Sequence, residues 1–419
     1  MRVLYYHQHF STPDGAAGTR SYEMARRLVE AGHEVTMVCG TYGVGMSGLS
    51  GPFVKRRRTG SVDGIEVIEL ELPYHNKHGF LKRSWTFLRF AWRSVGIAMS
   101  RDYDLVFATS TPLTAAIPGI VARVLRRKRF VFEVRDLWPE LPRAMGVIKN
   151  PVVLWMLGVL ERTAYKAAHG CIGLSPGICE GIRRFGKPEH LVRMVPNGCD
   201  VAFFDSIPRG TRPEGVADSD CLAVFTGAHG LANGLDAVLD AAAILKKRGR
   251  EDIKLLFVGD GMKKQELVAR AQSDGLTNCI FQAPMPKRDL VALLKVSNVG
   301  LMILANVPAF YYGTSPNKFF DYLSCGVPIV NNYPGWLADM ITASSCGHAV
   351  PPDEPGLLAD ALEQLADQEE QRAVMSSHAA QLAQQFDREV LGRHFVSALE
   401  SFAHPASHAA QQARTEEVR

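Results

Sequence analysis

The stretch Gly313-Thr314-Ser315-Pro316-Asn317-Lys318-Phe319-Phe320-Asp321-Tyr322-Leu323-Ser324-Cys325-Gly326-Val327-Pro328-Ile329-Val330 decides the reading of this chain. Ser, Pro and Asn stand where a helix would begin, the residues up to Cys325-Gly326 favour helix, and Pro328 leads into an apolar run. The order predicted is loop, helix, turn, strand. A helix start carries unpaired backbone N–H groups and the positive end of a dipole, so an anion near Ser315, Pro316, Asn317 and Lys318 is held without further machinery. Lys318 adds a mobile cation, and Asp321, one turn on, could accept hydrogen bonds from a sugar diol, as an acidic residue does for ribose in nucleotide folds. Together these suit a nucleoside diphosphate. An ordinary capped helix with a surface Lys and Asp would show the same residues.

Working back from that stretch, the second half of the chain repeats one pattern. A strand at 222–226 precedes the Gly-rich loop 227–234, which holds Gly227, His229 and Asn233, and a helix at 235–247 follows. A strand at 254–258 precedes Gly259-Asp260-Gly261, and one at 279–281 precedes Gln282-Ala283-Pro284-Met285-Pro286. Each loop comes after a strand, so all gather at one edge of a parallel sheet, where α/β folds bind ligands. His229 could hydrogen-bond a phosphate or a sugar, or be a solvated loop histidine.

The first half opens in the same way. A strand at 2–6, a loop at 11–20 and a helix at 21–31, with Met24, Ala25, Leu28 and Val29 at helical spacing, lead to a strand at 33–39. This βαβ unit points to a second parallel sheet with Gly18 and Arg20 facing its ligand edge. Gly15 and Gly18 do not complete G-x-G-x-x-G, which argues against a nicotinamide or flavin enzyme. Strands at 105–109 and 129–134 follow, and the latter runs into Arg135-Asp136-Leu137-Trp138-Pro139-Glu140. Asp136 is the candidate for contact with an acceptor hydroxyl or a donor sugar; it could also cap the next helix. Asn197-Gly198 is a turn signal, and the polar stretch to Asp220 reads as a linker.

The 419 residues exceed the size of one core and imply two domains, and 47% hydrophobic with 21% charged residues is the balance of a folded soluble protein. A net charge of +4 is too small to argue for nucleic acid. The eight cysteines include no C-x-x-C pair, which favours reduced, buried thiols and a cytoplasmic setting. No apolar run is long enough to span a membrane. Residues 81–93, however, interleave basic residues with Trp85, Phe87, Phe90 and Trp92 after the basic run 55–58. Such a helix either lies on an anionic bilayer or packs its rings into its own domain with Arg in water.

Gly32-His33-Glu34-Val35-Thr36, Asp136 to Glu140, Pro196-Asn197-Gly198 with Asp200, the Gly227 loop, Val258-Gly259-Asp260-Gly261 and Pro316-Asn317-Lys318 through Gly326-Val327-Pro328 together resemble the GT-B glycosyltransferases of family 4, the retaining group. Asp-Leu-Trp-Pro-Glu resembles the bacterial subgroup that builds O-antigen, capsule and exopolysaccharide, often with N-acetylated amino sugars such as fucosamine. The resemblance implies two facing Rossmann-like domains across a cleft. Residues 1–200 would bind the acceptor, residues 201–385 the nucleotide sugar, a helix at 386–402 would cross back to the first domain, and 403–419 would form a disordered tail. It implies transfer from a UDP-sugar to a polyprenyl-diphosphate-linked glycan at the inner face of the cytoplasmic membrane, with no cofactor and no metal.

Departures from the family accompany the match. Of its two Glu seven residues apart, Asp321 matches the second, and Gly313 holds the place of the first. The Arg and Lys of its pyrophosphate grip are absent, with Ala228 and Asn233 in their places, so something else must balance the diphosphate, and Lys318, the amides from Ser315 to Lys318 and Arg20 are the candidates. Transfer with retention, which the resemblance implies, can proceed when the leaving diphosphate oxygen itself takes the acceptor proton, which requires that its growing charge be stabilised. Asp136, Lys318 and His229 are the catalytic candidates. Two other readings stay open: a sugar-nucleotide 2-epimerase of the same shape, and a non-catalytic scaffold at the membrane that still binds nucleotide.

Overall fold

The computed structural model describes residues 1–15, 17–75 and 78–404. The tail expected at 403–419 lies outside the described residues beyond His404. The chain divides into two compact units, residues 1–196 with 389 onward, and residues 197–388.

In the first unit the strands are β1 (Arg2–Tyr6), β2 (Glu34–Tyr42), β3 (Arg57–Val62), β4 (Ile65–Tyr74), β5 (Leu105–Thr109), β6 (Arg129–Val134), β7 (Gly170–Gly173) and β8 (Val192–Met194). They form one sheet in the order β3-β4-β2-β1-β5-β6-β7-β8. All pairs are parallel except β3–β4. The inner strands are mostly apolar because both faces are covered; Val3, Leu4, Val106, Phe107, Phe130 and Val131 are all buried, and so is the charged Glu133. The helices are α1 (Arg20–Glu30), α2 (Phe80–Ser100), α3 (Ile117–Leu125), α4 (Glu140–Ala144), α5 (Pro151–Ala167) and α6 (Pro176–Arg183).

The hairpin β3–β4 is absent from the sequence reading. Val62 pairs with Ile65 across Asp63-Gly64, both at positive φ (49° and 81°), the two-residue turn that matches strand twist. It also corrects the basic run: Arg58 donates to Glu69 at 2.8 Å and lies over the Phe53 ring, so part of that charge is structural.

The second unit holds α7 (Val201–Ser206), β9 (Cys221–Thr226), α8 (Asp236–Lys247), β10 (Ile253–Val258), α9 (Lys264–Ser273), β11 (Cys279–Gln282), α10 (Lys287–Leu294), β12 (Val299–Met302), α11 (Pro308–Gly313), α12 (Asn317–Ser324), β13 (Ile329–Asn331), α13 (Trp336–Ser344), β14 (Gly347–Ala349), α14 (Pro355–Asp367) and α15 (Glu369–Gln385). Its parallel sheet runs β11-β10-β9-β12-β13-β14. Alternate strand residues bury into two layers, Ala223, Phe225, Leu255 and Phe257 in one, Leu222, Val224, Leu256 and Val258 in the other. The stretch read as linker contains α7, begun by Asp200, whose carboxylate accepts from Phe203 N at 3.0 Å. The last helix, α16 (Arg388–Ala403), packs from Glu389 on with the first unit. There Phe395 meets Phe107 edge-on at 5.1 Å, and Phe402 covers Gly170, where a Cβ would come within 2.3 Å of its ring.

Candidate functional site

In the second sheet the chain steps from β9 to β10 on one side and later to β12 on the other, so the carboxyl ends of β9 and β12 flank a topological switch point. The loop after β9 carries Gly227 to Asn233. The loop after β10 crosses it at Gly259, where φ is +155° and a Cβ would sit 1.8 Å from Gly227 O; only glycine lets the two loops meet. The segment after β12 leads through α11 to α12.

Helix α12 is anchored by Phe319, Phe320, Tyr322 and Leu323, all buried. Tyr322 fixes it to β9, its hydroxyl accepting from Thr226 N at 3.1 Å and contacting Val224 O at 3.2 Å. Pro316 is the N-cap and no side chain caps the helix; Phe319 N donates to Pro316 O at 3.2 Å, so it is the Asn317 and Lys318 N–H groups that are left to another acceptor. Asn317 opens the helix and, like Pro316, is half-buried. Ser315 is already engaged, its Oγ accepting from Asn197 N at 3.1 Å and its carbonyl from the Asn197 amide at 2.5 Å.

Lys318 is the central group. Its Nζ is buried, lies 3.6 Å from the Phe225 ring centroid, and has neither a hydrogen-bond partner nor a carboxylate among the described residues. Burial pushes its pKa down to about 7. Gly227 lies against this ammonium, where a Cβ would be in ordinary contact at 3.5 Å, and its φ of +135° is one that L side chains rarely adopt. Asp321, 4% exposed, gives Oδ2 to Lys287 Nζ at 2.5 Å and leaves Oδ1 buried without a partner. Lys287 escapes a sequence reading, although its place directly after the Pro284-Met285-Pro286 loop was a signal; Phe225 and Tyr322 carried none beyond apolarity.

His229 is fully buried beneath the loop, among Phe225, Phe257 and Phe281 at 6.1–6.4 Å, which corrects the solvated alternative. Neither ring nitrogen has a hydrogen-bond partner among the described residues, and burial, with Lys264 and Lys318 nearby, pushes its pKa down to about 4. Asn233 closes its own loop by donating to Ala228 O at 2.6 Å. Pro284 is exposed and Met285 half-buried at the end of β11. Gly313 ends α11 with nothing within 4 Å of a Cβ, so the space of the missing Glu is open.

Gly18, Arg20 and Asp136 lie in the first unit. Gly18 is exposed just before α1. The structure corrects Arg20: it is 3% exposed, its Nη2 donates to Glu133 Oε1 at 2.8 Å, and it donates to Pro196 O at 2.6 Å and Val195 O at 2.8 Å. Its charge is matched inside this unit and none is left for a phosphate. Asp136 is half-buried, 3.5 Å from the Thr111 hydroxyl, and burial raises its pKa from its ordinary value. The β-branched Thr111 beside it sits at φ 91°, a conformation L side chains rarely adopt.

Residues 15–198 match the Glycosyl transferase 4-like domain and residues 211–382 the Glycosyl transferases group 1 family. The chain is 25% identical over 221 residues to a D-inositol 3-phosphate glycosyltransferase of Corynebacterium jeikeium, covering 48% of this chain and 50% of that one. It is 24% identical over 241 residues to the alpha-D-kanosaminyltransferase of Streptomyces kanamyceticus, covering 56% of this chain and 60% of the relative. It thus spans about half the length of the curated relatives it matches. Anabaena Alr3699/HepE, solved in complex with UDP, shares the fold at TM-score 0.63 and 17% identity over 96% of this chain and 100% of that one. With both of its α/β units matched in this way, the chain belongs to the GT-B glycosyltransferases of family 4.

Proposed function

We propose that this protein is a retaining glycosyltransferase that moves a sugar, an N-acetylated amino sugar, from a UDP-sugar to a lipid-linked glycan in cell-surface polysaccharide synthesis. The observation that carries this reading is the buried, unpartnered Lys318 ammonium at the switch point of the second sheet. A buried cation without a counter-ion is costly, and a diphosphate both relieves that cost and gains a strong charge-assisted hydrogen bond. As the glycosidic bond breaks, negative charge grows on the leaving oxygen, and Lys318 with the free amides of α12 already points where it forms. Asp321 Oδ1, unpartnered, offers an acceptor for the ribose diol. The protein's own side chains and amides meet the phosphate charge, so we propose that no metal is needed. The UDP in the HepE structure and the amino-sugar name of the Streptomyces relative support the donor class.

Membrane contact belongs to the same proposal. Helix α2 buries Thr86, Phe90, Ala91, Ser94, Ile97 and Ala98 and turns outward Leu81, Trp85, Leu88 and Trp92, 82%, 63%, 51% and 80% exposed. The rings therefore do not all pack inward. Val152, Trp155, Met156 and Val159 of α5 are exposed as well, beside a groove of about 400 Å³ shared with α3. No described helix is long and apolar enough to cross a membrane, and an apolar stripe flanked by Lys82 and Arg89 suits peripheral binding to an anionic bilayer.

Calorimetric titration with UDP, GDP and dTDP sugars, followed by product analysis with and without a prenyl-diphosphate glycan, tests the function. UDP-sugar binding with acceptor-dependent transfer is the expected result; conversion of donor alone would favour the epimerase, and the absence of any nucleotide binding would end the proposal.

A further inference from the structure

We propose that the carboxyl edge of the first sheet is a phosphate-binding site for the head group of a prenyl-phosphate acceptor, built from His7, His9, Arg83 and Arg135. The inference rests on the transferase reading above and adds to it the residues that would seat the acceptor. In this sheet the chain steps from β1 to β2 on one side and later to β5 on the other, so the ends of β1 and β5 flank a second switch point. His7 and His9 follow β1, Thr111 follows β5, and Arg135 and Asp136 follow β6.

Polar atoms in this place lack partners in a way nothing in the fold explains. His7 and Gln8 are 3% and 1% exposed. His7 Nδ1, both Gln8 amide atoms, His9 Nε2, Thr12 Oγ1 and Arg83 Nε are buried without a hydrogen bond among the described residues. A native interior rarely leaves so many such groups together unless a ligand or water meets them. Among the described residues neither Arg83 nor Arg135 makes an ion pair; Arg135 acts through space on Glu133, which Arg20 already holds, and on Asp136. Arg135 Nη1 approaches His7 Nε2 at 3.4 Å, and Arg83 lies 5.9 Å from the Tyr74 ring, which itself meets the His9 ring at 4.4 Å, tilted by 39°. Burial and the Arg135 charge hold both imidazoles well below their ordinary pKa, so they stand neutral beside two guanidiniums. His7, facing Arg135 with Nε2, keeps an Nδ1–H to donate, whereas His9, which donates to the Thr111 backbone, presents Nε2 as an acceptor. Asp136 is the nearby acid, and burial disfavours its ionisation. Two forks of N–H donors with neutral histidines make a receptor for a phosphate or diphosphate.

The lipid part of the inference comes from α2. Arg83 turns toward this site, while Leu81, Trp85, Leu88 and Trp92 of the same helix face outward. An amphiphile with its phosphate on Arg83 would carry its tail over that apolar face.

The test uses the full chain saturated with UDP, so that the second unit's anion site is filled, and titrates farnesyl diphosphate and inorganic pyrophosphate by calorimetry. Farnesyl diphosphate is expected to bind at least about tenfold more tightly than pyrophosphate. Arg83→Gln and Arg135→Gln are each expected to weaken it about tenfold or more, with the UDP Kd and melting temperature held. Arg83 is only half-buried, so its variant reports even if Arg135→Gln folds poorly. Equal binding by wild type and both folded variants overturns the site, as does a wild type that binds UDP and ignores farnesyl diphosphate. Pyrophosphate binding as tightly as farnesyl diphosphate overturns the lipid assignment. Loss of UDP binding by wild type would instead strike the transferase reading.

Discussion

Arg20 in the first unit and Lys318 in the second are both cations buried near the carboxyl edge of a parallel sheet, and they are treated in opposite ways. Arg20 is met by Glu133, itself held by the Thr109 hydroxyl, and by two backbone carbonyls. Among the described residues Lys318 is met by an aromatic face and no hydrogen-bond acceptor. A fully paired buried cation serves the fold, whereas an unpaired one is a deficit that a ligand can fill. Similar residues at similar places in two like sheets thus have different tasks, and the partner rather than the position tells them apart.

The largest effect should come from breaking the paired cation. Arg20→Met leaves Glu133 buried and uncompensated and is expected to cost about 3–5 kcal/mol in chemical denaturation. The wild-type pair holds Glu133 below its ordinary pKa, so its contribution is present above the usual carboxylate range and is lost as pH falls below it. The deficit of Arg20→Met should accordingly shrink toward pH 4, and adding Glu133→Leu should recover much of it at neutral pH. A deficit equal at both pH values would mean that the pair is not what is being measured.

Next in size, Lys318→Met should behave in the reverse sense. The unliganded protein keeps or gains stability, because an unpaired buried ammonium is removed, while UDP affinity falls by about 2–3 kcal/mol. Loss of stability with unchanged UDP binding would place Lys318 with Arg20 as scaffolding. The same contrast predicts a pH dependence. With its pKa near 7 in the free protein, Lys318 must take up a proton to bind the diphosphate once the pH is higher. UDP affinity should therefore fall above pH ~7, by up to about tenfold (1.4 kcal/mol) per pH unit. Titrations in buffers of different ionisation heat should reveal the proton uptake, and Lys318→Arg should abolish it. The smallest effect expected is for Asp321→Asn, about 1 kcal/mol of UDP affinity, since Lys287 already occupies one carboxylate oxygen and only Oδ1 remains to be altered.

Much of the architecture was legible in the sequence because parallel strands covered on both faces must be largely apolar, as Leu105 to Ala108 are throughout and Phe130 to Val134 are but for Glu133. The hairpin strand β3 was not, since Arg57, Arg58 and Thr59 lie on a half-exposed edge where no apolar alternation is required, although Asp63-Gly64 announced the turn. Lys318 and Asp321 could be singled out because a helix start after a strand is an anion site wherever it occurs. Arg20 could not be sorted from them, because Glu133 stands 113 residues away. The outward rings of α2 were half-legible: the small residues Ala91, Ser94 and Ala98 mark the face that packs, which leaves Trp85 and Trp92 on the other.

The sequence alone determined the periodicities, the loops that follow strands, and therefore two parallel sheets with ligand edges. Those are local properties, set by side-chain spacing and by backbone groups that each turn must satisfy. Which cation is neutralised and which is left bare, which rings face water, and which histidines are stripped of partners were decided only by the tertiary structure. Charge compensation and burial depend on residues far apart in the chain, brought together when the sheets closed.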